Sequence, residues 1–247
     1  MSGGTEGRAM AELAALLADG TRAGMCLALL DGRAWTAGEL ARRAGVARST
    51  ASDHLTRLVR GGLLVEERQG RHRYLRLAGP SVAQLIEDLA GHVPAAPPPT
   101  GTLRAATAAT AMAYARTCYD HLAGRLGVLM YDALLADGRL DRTSGLAVTP
   151  DGWAWAAGLG VPVNALRTAR RPVVRDCLDW TERRPHLAGG LGAALCRRFA
   201  EVGWTTPGAG RALRLTPTGR TALAGAFGVP EETLATTGSP ALTSGRA

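Results

Sequence analysis

The apolar residues between positions 47 and 60 recur with the 3.6-residue period of an amphipathic helix. They are Ala51, Leu55, Leu58 and Val59. A shorter helix over 37–44 is predicted just before it, because Thr36 and Glu39 have the spacing of a capping box. Two helices joined by a short glycine-containing turn are typical of a helix-turn-helix motif.

The segments around this motif complete a winged helix. Alternating polar and apolar positions over 73–77 and a turn at Gln69–Gly70 predict a β-hairpin directly after the second helix. Further helices are predicted over 10–17, from about residue 19 or 21 to residue 30, and over 81–89. We therefore predict a winged helix-turn-helix domain over residues 8–90.

The length of the chain, 247 residues, predicts a second domain. Four prolines within residues 91–103 cannot continue a helix and favour an extended linker. We place the second domain at 104–230. The remainder, 231–247, is rich in Thr, Ser, Gly and Pro and is predicted to be a disordered tail.

The second domain contains an internal repeat, because residues 116–162 resemble residues 175–230. Both copies contain an Arg-x-Cys-x-Asp pattern, a later His-Leu-Ala-Gly pattern and a Leu-x-x-Thr-Pro pattern. Each copy is predicted to be a long helix, a turn, a strand and a helix that starts at the Thr-Pro pair. The predicted fold class is thus mainly α with small β-hairpins, a winged helix followed by two winged-helix-like repeats packed about a pseudo-twofold axis.

The positive charge is concentrated on the winged helix. The chain has a formal net charge of +8, and residues 33–76 contain ten arginines against four acidic residues. All 29 basic residues are arginines, which indicates a GC-rich coding bias, so a solvated arginine-rich surface is the alternative interpretation. Duplex DNA binding depends on phosphate neutralisation, so the placement of the charge predicts double-stranded DNA as the partner.

Candidate DNA-binding residues are the polar and basic side chains of the second helix and of the hairpin tip. On the helix they are Arg48, Ser49, Thr50, Ser52, Asp53, Thr56 and Arg57. On the hairpin they are Arg68, Gln69, Arg71 and Arg73.

Five segments in this order resemble the ArsR-type (arsenic-repressor, metalloregulator) winged-helix family. They lie at 16–22, 38–41, 49–55, 62–65 and 70–74, within residues 8–90. The resemblance implies a homodimer joined through the first and last helices of the domain, and an operator repressor that an effector releases. It also implies that 48–57 is the recognition helix and 68–73 the wing, while Ala47 stands where the family usually has a capping serine.

The metal-binding positions of that family are not matched. The helix that carries a Cys-x-Cys pair in arsenic and cadmium sensors reads Glu39-Leu-Ala-Arg-Arg43 here. Asp88 and His92 lie four residues apart in the last helix and supply two ligands of an interfacial zinc-type site at most.

Cys118, His121, Cys177 and His186 are the clearest chemical signal of the second domain. Two thiols and two imidazoles suffice for a tetrahedral metal such as zinc, and we expect Cys118 and His121 to share a helix face. The same residues also fit a thiol redox sensor, the wall of a small-molecule pocket, or plain core packing. Asp120, Asp179 and Trp180 are candidate effector-sensing residues beside them.

These features together predict a sequence-specific DNA-binding transcriptional regulator, a homodimeric repressor with a C-terminal sensing domain. DNA binding needs no cofactor, and a metal, a thiol reaction or a small molecule is the effector. The alternative is a thiol- or metal-dependent enzyme, or a metal-binding protein that uses the winged helix for protein interaction. The sequence has no Gly-x-Ser-x-Gly motif and no phosphate-binding glycine loop, so catalysis is not predicted.

A cytoplasmic location is expected. No apolar run is long enough to span a bilayer, and residues 1–9 lack the apolar core of a signal peptide. Four cysteines in a chain of this length do not make a disulfide framework.

Overall fold

Two units make up the chain, Met1–Val93 and Pro94–Ala247. The computed structural model describes residues 3–70, 72–93 and 103–235. Arg71, residues 94–102 of the predicted linker and residues 236–247 of the predicted tail lie outside the described residues.

Helices make up most of the first unit. They are α1 (Gly3–Leu17), α2 (Gly20–Ala28), a 3-10 helix (Leu29–Asp31), α3 (Ala37–Ala44), α4 (Arg48–Arg60) and α5 (Pro80–His92). Asp19 begins α2 by accepting a hydrogen bond from the Arg22 backbone N–H. Helix α1 starts seven residues before the predicted position, and α5 runs through residues 91–92, which were predicted as linker.

Helices α3 and α4 form the predicted helix-turn-helix. The capping box is present, because the Glu39 carboxylate accepts from the Thr36 N–H at 2.8 Å and the Thr36 hydroxyl accepts from the Glu39 N–H at 3.3 Å. Gly45 ends α3 in the left-handed conformation, with φ of +68°. Ala47 occupies the N-cap of α4 and makes no side-chain cap, as its methyl side chain requires.

A small antiparallel sheet packs against these helices. Its strands are β1 (Trp35–Thr36), β2 (Leu64–Gln69) and β3 (His72–Leu77), in the order β1-β3-β2. We call the β2–β3 hairpin the wing. Leucines from α3, α4 and the sheet, including Leu40, Leu55 and Leu75, are fully buried and form the core of the unit.

The second unit contains the same order of elements twice. The first copy comprises β4 (Arg116–Cys118), β5 (His121–Ala123), α7 (Gly124–Ala136), β6 (Leu140–Asp141), β7 (Ala147–Val148) and α8 (Pro150–Gly158). The second comprises β8 (Arg175–Leu178), β9 (Pro185–Ala188), α10 (Gly189–Glu201), β10 (Thr205–Pro207), β11 (Leu213–Leu215) and α11 (Pro217–Phe227). Helix α6 (Leu103–Tyr114) precedes the first copy, and α9 (Val163–Thr168) lies between the two.

Each copy starts with a β-hairpin, and the prediction of a long first helix there was wrong. Cys118 and His121 face each other across the β4–β5 pair instead of sharing a helix face. The turn between them contains Tyr119 in the left-handed region, at φ of 58°, which a helix excludes. The Thr-Pro helix starts were predicted correctly, because Thr149 and Thr216 cap α8 and α11.

The two copies pack reciprocally. The hairpin strand β5 lies against α10, and β9 lies against α7. This exchange is what a pseudo-twofold relation between the copies produces. A shared apolar core, with Leu126, Tyr131 and Phe199 buried, fills the space between the helices.

The first part of the predicted disordered tail is ordered. Residues 231–235 form turns, and the Leu234 side chain is 1% exposed within the core of the second unit. The Tyr114 hydroxyl donates a hydrogen bond to the Leu234 carbonyl. The buried Leu234 side chain and this hydrogen bond both attach the segment to the second unit.

Within the described residues, no single helix has the length and apolar composition needed to cross a membrane. The pair Gly4–Leu17 and Gly20–Asp31 meets those criteria only when taken together, and it is bent by 81° at the break.

Candidate functional site

Helix α4 turns a polar and basic face toward solvent. Ala51, Leu55 and Leu58 are buried and hold the opposite face against the core. The exposed predicted DNA-binding residues of this helix are Arg48, Ser49, Thr50, Ser52, Asp53 and Arg57, and Thr56 is half-buried.

The arginines lie at the edges of this face. With 3.6 residues per turn, Ser49, Asp53 and Thr56 follow one another along the middle of the face. Arg48 and Arg57 are separated by about two and a half turns and so project on opposite sides of the helix axis. Hydrogen-bonding side chains therefore run between two flanking guanidinium groups.

The wing lies beside this face of α4. Arg73 donates from Nη1 to the Ser52 hydroxyl at 3.5 Å and from Nε to Glu66 at 2.7 Å. Arg68 also donates to Glu66, at 3.1 Å. Partial burial acts to raise the pKa of Glu66, but the bonds from Arg73 and Arg68 outweigh it and lower that pKa. Glu66 thus offsets part of the positive charge of the wing, whose Arg68 and Gln69 are exposed.

Arg22 and His54 hold α4 against the N-terminal helices, and sequence reasoning missed both. The Arg22 guanidinium is almost fully buried and donates to the Leu16 carbonyl at 2.6 Å and the Ala15 carbonyl at 2.9 Å. It also lies 3.4 Å from the His54 ring nitrogen Nδ1. The motif Asp-Gly-Thr-Arg at 19–22 was the available signal, since it places an arginine in the first turn of α2.

Comparisons with known proteins agree with the winged helix-turn-helix geometry described above. A family model for a helix-turn-helix domain matches residues 17–67. An uncharacterized HTH-type transcriptional regulator, YdfF of Bacillus subtilis, is 40% identical over 216 residues, which is 86% of this chain and 94% of that protein. The chain belongs to the ArsR-type winged helix-turn-helix regulators. It is a DNA-binding transcriptional regulator, which disfavours the enzyme alternative.

Two further similarities cover about a third of the regulator. The HTH-type transcriptional regulator CmtR of Mycobacterium tuberculosis is 40% identical over 81 residues, or 33% of this chain and 68% of that protein. The NMR structure of that cadmium metal-sensor aligns with 38% of this chain and 96% of its own, at 35% identity and a TM-score of 0.30.

The predicted cysteines and histidines of the regulator meet in the second unit. We call Cys118, His121, Cys177 and His186 the Cys/His cluster; all four are buried. The Cys118 and Cys177 Sγ atoms are 3.6 Å apart, and the His121 and His186 Nε2 atoms are 3.1 Å apart. One ligand atom from each residue lies within 4.8 Å of the other three.

Gly127 and Gly192 lie where the histidines of the opposite copies pack. A Cβ added at Gly127 would lie 3.7 Å from the His186 Cβ, and one at Gly192 would lie 3.4 Å from the His121 Cβ. Each histidine thus packs on the helix of the other copy. Ala123 and Ala188 are the small neighbours of the two thiols.

The three candidate sensing residues lie around the cluster. Asp120 contacts the His121 Nδ1 at 3.2 Å and pairs with Arg171 at 3.1 Å. Asp179 is fully buried and accepts from Arg116 at 2.7 Å, while the Trp180 ring lies 4.6 Å from that guanidinium. Asp179 and Trp180 therefore hold a buried cation within the unit.

The electrostatics of the cluster favour a thiolate. The hydrogen bond from the Cys118 thiol, with those from His121 and His186, lowers the pKa of Cys177 strongly against the opposing effect of burial. Burial acts to lower the pKa of His121, but its bonds to Asp120 and Cys177 raise that pKa overall. The thiolate is the form of cysteine that binds metals.

An open cleft of about 420 Å³ adjoins the cluster on the surface of the second unit. Asp120, Arg171 and Arg197 supply its charged groups. Asp120 lines this cleft and also contacts His121, so it connects the cleft to the cluster.

The other candidate metal ligands of the regulator are not grouped in this way. Gln84 donates to the Asp88 carboxylate at 2.6 Å, and the His92 Nδ1 lies 2.7 Å from the Asp88 backbone carbonyl. Over residues 3–70, 72–93 and 103–235, the Cys/His cluster is the one group of three or more such side chains.

Proposed function

We propose that the regulator is a homodimeric repressor that reads its operator with α4 and flanks it with the wing. This proposal rests on the arrangement of polar and basic side chains on α4. Ser49, Asp53 and Thr56 suit base edges in the major groove, and Arg48 and Arg57 suit the phosphates on its two walls. Thr50, Ser52, Arg68, Gln69 and Arg73 are proposed as additional contacts.

Arg48 and Arg57 contribute more to phosphate binding than Arg68 and Arg73 do. The carboxylate of Glu66 already neutralises part of the charge on Arg68 and Arg73. Arg73 instead fixes the wing beside Ser52. Arg48 and Arg57 are therefore expected to contribute more to the salt dependence than Arg68 and Arg73 do.

The dimer forms through α1 and α5. Across the described residues, the large apolar side chains that remain exposed are Met10, Leu27, Leu89 and Val93, and all belong to the first unit. Met10 lies in α1, Leu89 in α5 and Val93 directly after α5. Burying them against a second copy removes this apolar surface from water and pairs two α4 helices for successive major grooves, about 34 Å apart.

The second unit receives the effector. Its cleft presents two guanidinium groups and one carboxylate, which suits a small molecule with an anionic group. An effector that displaces Arg171 from Asp120 alters the contact between the Asp120 carboxylate and the His121 Nδ1. Because it acts on chromosomal operators, we place the regulator in the cytoplasm.

Fluorescence anisotropy tests the DNA-binding proposal on an operator selected from random-sequence duplexes. Arg48→Ala is expected to weaken binding and to reduce the slope of log K against log salt by about one for each arginine lost. Ser49→Ala is expected to change base preference with little change in that slope. Arg184→Ala, an exposed arginine of the second unit, is the control; equal slopes for Arg48→Ala and Arg184→Ala would contradict the proposal.

A further inference from the structure

We propose that the Cys/His cluster binds one zinc ion, which joins the two copies of the repeat. The ion takes Sγ of Cys118 and Cys177 and Nε2 of His121 and His186. This inference does not depend on how the winged helix contacts DNA.

The sulfur–sulfur and nitrogen–nitrogen distances within the cluster lie near the edges of a zinc tetrahedron, and all four ligand atoms lie within 4.8 Å of one another. With Zn–S of about 2.3 Å and Zn–N of about 2.0–2.1 Å, tetrahedral edges are about 3.7 Å between sulfurs and about 3.4 Å between nitrogens. The observed separations are 3.6 Å for the sulfurs and 3.1 Å for the nitrogens. Small movements of the side chains give the ion its full coordination.

The backbone fixes this geometry in two symmetric halves. Cys118 lies directly opposite His121 in the β4–β5 pair, and Cys177 lies directly opposite His186 in the β8–β9 pair. Side chains of directly paired residues project on the same face of a hairpin. Each hairpin therefore presents one sulfur and one nitrogen toward the other.

The polar groups around the ligands suit a metal better than a dry core. Asp120 accepts from the His121 Nδ1, which leaves Nε2 free to bind, as in carboxylate–histidine–zinc arrangements. His186 is fully buried, and its Nδ1 lies 4.0 Å from the Asp179 Oδ2. Without an ion, the two facing Nε2 atoms share one hydrogen bond between two buried rings.

Cys26 shows the environment of a cysteine that serves only as a packing residue. Cys26 is fully buried among apolar residues, and burial raises its pKa to about 12. It keeps its proton and serves as an apolar filler. Cys177 differs because its Sγ lies 3.6 Å from the Cys118 Sγ and within 4.8 Å of a nitrogen from each of the two histidines.

Four protein ligands in a buried site make this a structural metal. Structural zinc sites are closed by four side chains, whereas catalytic ones leave a position for water. In place of a disulfide or a larger apolar core, the ion links the β4–β5 hairpin to the β8–β9 hairpin. Metal removal is therefore expected to destabilise the second unit selectively.

Elemental analysis of the purified full-length wild type tests this proposal directly. We expect about one zinc per chain after anaerobic reconstitution and desalting. The double variant Cys118→Ser with Cys177→Ser is expected to lose the metal, while Cys26→Ala retains it. Metal content that is the same in the double variant and the wild type would overturn the proposal.

Cobalt titration of the metal-free wild type keeps the test decisive if the double variant fails to fold. Two thiolates on tetrahedral Co²⁺ give thiolate-to-cobalt charge transfer in the ultraviolet and intense visible d–d absorption. A wild type that shows neither band, or that forms a Cys118–Cys177 disulfide under reducing conditions, overturns the zinc site. DNA affinity enters neither measurement, so failure of the repressor proposal would be distinguished from failure of this one.

Discussion

Replacing Asp179 by asparagine tests how much the second unit depends on its buried ion pair. The Asp179 carboxylate and the Arg116 guanidinium are 2.7 Å apart, with 0% and 1% of their side chains exposed. Each carboxylate oxygen accepts from protein donors, Oδ2 from Arg116 and Gly124 and Oδ1 from Thr181 and Glu182. Whichever way the asparagine amide turns, its NH₂ faces donors and the guanidinium loses its counter-ion.

The expected loss of stability is large because the cation stays buried. Removing one partner of a buried pair costs about 3–5 kcal/mol, whereas an exposed pair contributes about 0–1 kcal/mol. Arg184 and Asp132 form a matched exposed pair at 2.8 Å, with 56% and 40% of their side chains exposed. Arg184→Ala is therefore the control.

Urea unfolding followed by tryptophan fluorescence gives the free energy of unfolding. Four of the five tryptophans lie beyond residue 150, so the signal reports mainly on the second unit. We expect the midpoint to fall for Asp179→Asn without a change in slope, and the melting temperature to fall by on the order of 10 °C. A loss below about 1 kcal/mol, equal to that of Arg184→Ala, would refute the reasoning.

Three smaller perturbations follow from local geometry. Ala47→Ser supplies the missing cap of α4 and is expected to stabilise the first unit by about 0.5–2 kcal/mol in thermal unfolding; no gain would show that the cap geometry is unfavourable. Thr36→Ala removes the hydroxyl that accepts from the Glu39 N–H, keeps the backbone N–H that donates to the Glu39 carboxylate, and should cost about 1 kcal/mol, measured in the same way. Gly127→Ala places a Cβ 2.6 Å from the Leu122 carbonyl and should cost about 1–3 kcal/mol, whereas Gly225→Ala meets nothing within 4 Å; equal melting temperatures for these two would contradict the packing argument.

The winged helix could be predicted because its signals are local. The capping box at Thr36 and the apolar period of α4 each act within a few residues, so neither depends on the tertiary fold. The wing followed from the alternation over residues 73–77 and the turn at Gln69–Gly70, since most of the six-residue strand β3 shows the pattern.

The hairpins of the second unit could not be predicted in the same way. Strand β4 has three residues, too few for a readable alternation, and the turn after it depends on Tyr119 in a conformation that non-glycine residues rarely adopt. The convergence of the Cys/His cluster was still predictable from the repeat, because Cys118 and Cys177, like His121 and His186, occupy equivalent positions in the two copies.

Equivalent residues around the cluster have diverged, which sequence similarity alone does not reveal. Asp120 contacts the His121 Nδ1 at 3.2 Å, whereas its counterpart Asp179 pairs with Arg116 at 2.7 Å and lies 4.0 Å from the His186 Nδ1. Arg116 is buried, whereas its counterpart Arg175 is exposed. The segment 180–185 is present in one copy only, and it contributes Trp180, which packs against Arg116.

Hydroxyl-radical footprinting of the regulator on its operator tests the central claim most directly. A twofold pair of α4 helices and wings predicts two protected patches on one face of the duplex, centred about one helical turn apart. Arg48→Ala should weaken both patches together. A single continuous patch, or protection that Arg48→Ala leaves unchanged, would contradict the account of how this protein binds DNA.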